Sequence, residues 1–157
     1  MTLDLRDLYQ DIILDHGQRP RNFRKQAQPS HFAHGHNPLC GDRVTVYVAL
    51  DGERIRDVSF EGRGCAISQA SASLMTEILK GKTLAEAQTL FKGFHAKVTG
   101  GDAPAAAPAA LEEEMERLEP LTGVKAYPAR VKCATLAWHA FEAALKNGAA
   151  GATVKTE

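Results

Sequence analysis

Apolar side chains recur at Leu5, Leu8, Tyr9, Ile12 and Ile13, the three-and-four spacing of a helix that buries one face. Gly17 and Pro20 end it. From residue 21 to 42 (RNFRKQAQPSHFAHGHNPLCGD) no period is sustained, and Pro, Gly, Asn and His predominate, so this stretch reads as a long loop with room for one irregular strand. Val44, Val46, Val48 and Leu50 then alternate with Thr45, Tyr47 and Ala49, the pattern of a half-buried strand, and Asp51-Gly52 supplies a tight hairpin turn. The return strand is expected at about Ile55 to Phe60. Gly62, Arg63 and Gly64 break that pattern, and Ala66 to Lys80 reads as a helix with Gly81 suited to its end. Cys65 is thereby placed at a helix N-terminus.

Thr83 followed by Glu86 has the spacing of a capping box, which predicts a further helix to about Lys97. Residues 99–110 (TGGDAPAAAPAA) have a linker composition, and LEEEMERLEP suits a short acidic helix closed by Pro120, together an inserted excursion over about residues 99–123. The last helix (VKCATLAWHAFEAALKN) sets Ala134, Trp138, Phe141 and Leu145 on one face and ends before Gly148, with Cys133 near its start. The expectation is a single domain over residues 1–148, followed by a frayed, flexible tail at 149–157. No internal repeat is apparent.

A chain of 157 residues is long enough for a real core. Its 19 basic and 19 acidic side chains cancel, which argues against a general phosphate-backbone binder and so against nucleic acid as a partner. No apolar run approaches the length of a membrane span, and the N-terminus MTLDLRDLYQ is charged rather than signal-like. The cytosol is the expected compartment. Three cysteines are an odd number for a disulfide framework, and none forms a C-x-x-C pair. Each is therefore a packing, catalytic or metal-binding residue.

Cys40, Asp42, Cys65 and Cys133 are the constellation of interest. Gly41 permits a turn tight enough for Cys40 and Asp42 to face one point. A helix start stabilises the thiolate at Cys65, and by the same reading at Cys133. Three thiolates and one carboxylate carry more charge than a divalent metal cancels, and Arg43, Arg63, Arg130 and Lys132 stand next to these positions or near them. Such donors suit zinc, and by composition they also suit an iron-sulfur cluster. His31, His34 and His36 suggest a Cys-His nucleophile with Cys40, but no oxyanion-hole or third-member signal accompanies them, and a solvent-exposed loop is the plainer reading. His16 reads as closing the first helix at its negative end, Trp138 and His139 as helix packing, and Glu112 to Glu116 as a solvated face.

The stretches LYQDIILDHGQRPRN (8–22), NPLCGDRV (37–44), GRGCAISQASASLM (62–75) and YPARVKCATLAWHAF (127–141) resemble the NifU/IscU-like family of iron-sulfur cluster assembly proteins. The match is most similar to the SufU branch, marked by an insertion between the second and third cysteines and by a Lys, here Lys132, before the third. The resemblance implies an α+β fold, a small antiparallel β-sheet packed against helices, with a metal site of Cys40, Asp42, Cys65 and Cys133. It also implies Zn2+ as the metal, with a [2Fe-2S] cluster on the same ligands as the alternative. The implied partners are a SufS-type cysteine desulfurase and downstream iron-sulfur assembly proteins. The implied activity is that of a sulfurtransferase: Cys40 accepts persulfide sulfur, Cys65 and Cys133 hold the metal, and Arg130 and Lys132 support the site or contact the partner. The scaffold branch instead assembles a cluster on these ligands and carries an L-P-P-V-K chaperone segment where this chain reads AYPAR (126–130).

Overall fold

The computed structural model describes residues 5–26, 29–38, 41–100, 111–147 and 152–155. Helix α1 (Leu5–Gln18) leads to strands β1 (His31–Asn37), β2 (Asp42–Asp51) and β3 (Arg54–Arg63). Helices α2 (Ala66–Leu79), α3 (Leu84–Thr99) and α4 (Glu112–Arg117) follow, then a 3-10 segment Glu119–Ala126, helix α5 (Pro128–Asn147) and strand β4 (Ala152–Lys155). The strands form one sheet in the order β3-β2-β1-β4, antiparallel from β1 to β3 and parallel between β1 and β4. This is the α+β arrangement expected.

The β2–β3 hairpin follows from its alternation: Val44, Val46 and Val48 are buried on one face, against Phe60 and Val58 of β3. A bulge between Ala49 and Leu50 shifts the register near the turn, where Gly52 takes φ +64°, a backbone state that suits glycine. Helix α5 lies across β1 and β2 while α2 packs on β3 and α5. The approach of α5 is close enough that a Cβ on Gly35 would lie 3.0 Å from Leu136 Cδ1. Trp138 of α5 is wholly buried, its Nε1 donates to Ser71 Oγ of α2 at 3.2 Å, and its ring meets Phe94 of α3. The expected capping box starts α3, with Thr83 and Glu86 each accepting from the other's backbone N–H.

Several sequence expectations need correction. The stretch read as a loop contains β1, a regular seven-residue strand in which Ala33, Gly35 and Asn37 face inward and His34 is exposed. The histidines thus lie on a strand, and His34 Nδ1 is 2.8 Å from Thr45 Oγ1 of β2. Strand β3 continues through Gly62 and Arg63, because glycine there lets two backbones approach. Within the excursion the short acidic helix expected after residue 110 forms as α4, but Pro120 opens the following 3-10 segment rather than closing the helix, and Leu111, Met115, Leu118, Leu121 and Val124 are buried in the core, while residues 101–110 lie outside the described residues. The tail expected to fray supplies β4 at Ala152–Lys155.

Helix α1 is held differently from the reading of its apolar face. Of the apolar face read from the sequence, Leu8 is exposed while Tyr9, Ile12 and Ile13 are half-buried, and among the described residues the buried one of the helix is His16, with Nδ1 2.8 Å from Ser73 Oγ of α2, an oxygen that accepts from the Arg21 backbone N–H. His16 is therefore an interhelical hydrogen-bonding residue as well as a last-turn one. Burial, then the nearby Arg21 charge, lowers its pKa, and burial and His95 lower that of His139. Both folded histidines favour the neutral form, so the unfolded chain binds more protons once pH falls toward the ordinary histidine value of about 6.5. Stability should accordingly be highest above that value and decline as pH falls through it. Urea midpoints taken between about pH 7 and pH 5 should drop, and the drop should be smaller in His16→Gln; equal slopes in both proteins would refute this.

Candidate metal centre

One end of the sheet gathers the candidate donors. Asp42 opens β2, Cys65 follows β3 as the N-cap of α2, and Cys133 lies in the second turn of α5. One donor atom from each lies within 4.8 Å of the others, and among the described residues this is the group of His, Cys, Asp and Glu able to hold a metal ion. Cys40, the remaining candidate, lies outside the described residues. Its neighbour Gly41 takes φ +74° and donates its N–H to the Asn37 carbonyl at 2.8 Å, so the chain turns back immediately before Asp42.

Each donor is placed by its own local chemistry. Asp42 is 2 % exposed, and its Oδ1 accepts the Cys65 backbone N–H at 3.1 Å while Oδ2 lies 3.9 Å from Cys65 Sγ. This requires Gly64, since a Cβ there would sit 2.8 Å from Asp42 Oδ1. Cys65 adopts an extended N-cap conformation, and its sulfur accepts the Ser68 N–H at 3.5 Å. Cys133 is fully buried, which corrects the expectation that it sits at a helix start: α5 begins at Pro128, whose fixed φ suits a first turn. The helix dipole acts mainly within the first turn, so Cys133 owes less to it than Cys65 does.

The thiols act on one another. A hydrogen bond from Cys133, aided by the Ser68 and Ile67 backbone N–H groups, holds the Cys65 thiol down to about 6, against burial and the Asp42 charge, which push it up. The exposed Arg130 is raised above its ordinary value, first by the charge of Cys65 and then by that of Cys133. Arg130 is therefore a cation coupled to these sulfurs. Arg43 and Arg63 pair across β2 and β3 one residue along from Asp42, and strand alternation puts them on the opposite face from it. Lys132 is half-buried beside Cys133.

Asn37 escaped the sequence reading. It is fully buried at the end of β1, pairs in register with Asp42, and directs Nδ2 to Cys133 Sγ at 3.8 Å. Its place before a proline in a polar stretch signals only a turn. Neither His34 nor His36 joins the donor group. The set of two sulfurs and a carboxylate fits a borderline-soft divalent ion, with a further ligand needed to complete four-coordination.

A fold of this kind, with cysteine and aspartate side chains gathered at one sheet end, defines a compact α+β domain whose rim carries a candidate donor cluster. The family model described as NifU-like N terminal domain matches residues 8–134, and the chain belongs to that family, which includes IscU and SufU proteins. It is 40% identical over 139 residues to a zinc-dependent sulfurtransferase SufU of Bacillus subtilis, covering 88% of this chain and 90% of the relative. It is 38% identical over 145 residues to an iron-sulfur cluster assembly scaffold protein IscU of Streptococcus pyogenes, covering 92% and 87%. Among solved structures, a putative iron-sulfur cluster assembly scaffold protein for the SUF system from Fervidobacterium islandicum superposes with a TM-score of 0.78 at 36% identity, covering 90% of this chain and 99% of the other. Among the described residues no helix is long and apolar enough to cross a membrane.

Proposed function

We propose that this protein serves iron-sulfur cluster assembly as a cytoplasmic, zinc-dependent sulfur acceptor, taking persulfide sulfur from a SufS-type cysteine desulfurase through Cys40 and passing it to downstream assembly proteins. The observation that carries the reading is the convergence of Asp42, Cys65 and Cys133 within 4.8 Å, with Asp42 directly following the Cys40-Gly41 pair in sequence. Similarity to a zinc-dependent sulfurtransferase supports zinc over other metals. Cys40, Asp42, Cys65 and Cys133 would hold the ion, which when bound keeps thiols ionised at neutral pH and supplies a replaceable coordination position.

The transfer itself is thiol–disulfide chemistry. The Cys40 thiolate attacks the terminal sulfur of the desulfurase persulfide, forming one S–S bond as the bond to the desulfurase cysteine breaks. That cysteine departs as a thiolate, and Cys40 becomes the persulfide with the terminal proton retained. The buried Cys133 and the capped Cys65 are poorly placed to make such an attack, which leaves the work to Cys40. Arg130, facing the paired thiols, is suited to balancing the negative charge that passes from the attacking to the departing sulfur, and Lys132 to contacting the partner.

Mass mapping after one turnover with a persulfide-loaded desulfurase tests this. One added sulfur atom should appear on Cys40, and Cys40→Ser should block it; sulfur on Cys65 or Cys133 instead would refute the assignment. Arg130→Ala should slow the transfer about tenfold or more while changing zinc affinity less. Equal losses in both would reduce Arg130 to a structural role. Similarity to an IscU scaffold favours a second reading, a [2Fe-2S] cluster built on the same residues; incubation with iron, sulfide and reductant would then yield a stable chromophore transferable to an apo-protein.

A further inference from the structure

We propose that Asn37 is a positioning residue for the metal ligand Cys133, its carboxamide N–H holding and partly neutralising the sulfur from the β1 side. The inference deepens the metal-centre reading above and rests on it. A buried amide is costly unless its hydrogen bonds are made, whereas an apolar side chain of similar volume carries no such cost. Position 37 is fully buried, and the preceding inward-facing residues of β1 are Ala33 and Gly35, packed under α5. Packing alone therefore gives no reason for an amide there. The side chain directs Nδ2 to Cys133 Sγ at 3.8 Å, within the range of an N–H donor to sulfur.

The backbone of the same residue fixes the other side of the site. Its register partner is Asp42, and its carbonyl accepts from Gly41. One residue thus ties α5's sulfur to the strand end that presents the carboxylate, across 96 positions of sequence. Cys133 as a thiol has the Ala129 carbonyl at 3.8 Å as an acceptor. Once the proton is lost to metal binding, that carbonyl no longer helps, and the Asn37 donor faces a sulfur in a donor set whose negative charge exceeds that of the ion. A donor of this kind draws charge from the thiolate, and loss of such outer partners typically costs about 10–100-fold in metal affinity.

The test uses cobalt and cadmium as probes of the full chain. Cobalt-loaded protein should show a sulfur-to-metal charge-transfer band, and Asn37→Leu should move it to longer wavelength and weaken cobalt binding about 10–100-fold. Asn37→Asp, which replaces the donor by a negative charge, should weaken it further. Far-UV dichroism and urea midpoints establish that each variant is folded. Wild-type protein loaded with an NMR-active cadmium isotope supplies a measurement without mutation: scalar coupling between the metal and the Asn37 carboxamide protons through the N–H···S bond. Absence of that coupling, or a folded Asn37→Leu with unshifted band and wild-type affinity, overturns the role of Asn37 while leaving the metal centre intact. A wild-type protein with no thiolate charge-transfer band overturns both.

Discussion

Serine in place of Cys65 or Cys133 is expected to lower zinc affinity by more than about a hundredfold in each case, while the metal-free protein stays folded. Partners outside the coordination sphere are commonly worth about 10–100-fold, so a ligand itself should exceed that range. A serine hydroxyl stays protonated at neutral pH and offers a hard neutral oxygen where an ionised sulfur stood, which removes both charge and softness. The fold should tolerate either change. Serine is a preferred N-cap, so Cys65→Ser retains a side chain able to accept the Ser68 N–H. At position 133 the hydroxyl can donate to the Ala129 carbonyl and accept from Asn37, as the thiol does. Competitive titration against a chromophoric chelator measures the affinity, and urea unfolding of the metal-free variants checks the fold. Wild-type affinity in both variants would remove Cys65 and Cys133 from the metal site.

The elements that alternate or repeat on an apolar period are legible in the sequence, and those defined by small or polar inward residues are not. Strand β2 announces itself through three buried valines. Strand β1 has the same geometry, but its inward positions are Ala33, Gly35 and Asn37 and its outward ones include His34 and His36. The sheet needs small residues there because α5 lies close above them, as Gly35 against Leu136 shows, and that need erases the hydrophobic signal. Strand β4 joins by parallel pairing to β1, an interaction with no local signature in four residues. The segment after residue 110 is a different case. Leu111, Met115, Leu118, Leu121 and Val124 are buried, and their three-and-four spacing was present in the sequence, masked by the run of glutamates between them.

The candidate donors were legible in residue types, because cysteines beside glycines and basic residues suit chemistry as well as packing; Asp42, Cys65 and Cys133 do lie together, Cys133 fully buried. How the donors are held was not. The position of Cys133 in α5 depends on where the helix begins, and Pro128 moves that start upstream of the apolar pattern. The placement of Asp42 depends on a missing side chain at Gly64 and on the N-terminal N–H of α2, contacts made across 22–23 positions of sequence. The amide at Asn37 reaches α5 only once the sheet and helix are assembled. Tertiary contacts of this sort have no sequence period to betray them.

Alanine at Gly62 is the second change expected to act strongly, here on the fold first and the metal centre as a consequence. Gly62 pairs with Val44 and has φ +154°, and a Cβ at this position would lie 2.1 Å from the Arg43 carbonyl oxygen and 2.8 Å from Val44 Cα. Both obstacles are backbone atoms of β2, so no rotamer change relieves them. Overpacking of this kind costs about 1–3 kcal/mol and a disfavoured backbone conformation about 1–3 more, a large part of a typical stability of about 5–15 kcal/mol. Relief must come from parting β2 and β3 next to Asp42 and Cys65, so zinc affinity should fall even in the folded fraction. Gly52→Ala is the matched control: its φ is +64°, but nothing lies within 4 Å of the added methyl, which leaves only the left-handed penalty of about 1–2 kcal/mol. Urea midpoints and zinc titrations of the two variants side by side measure the contrast. If Gly62→Ala proves as stable as Gly52→Ala and binds zinc like the wild type, the close approach of β2 and β3 at this end of the sheet does not position the donors.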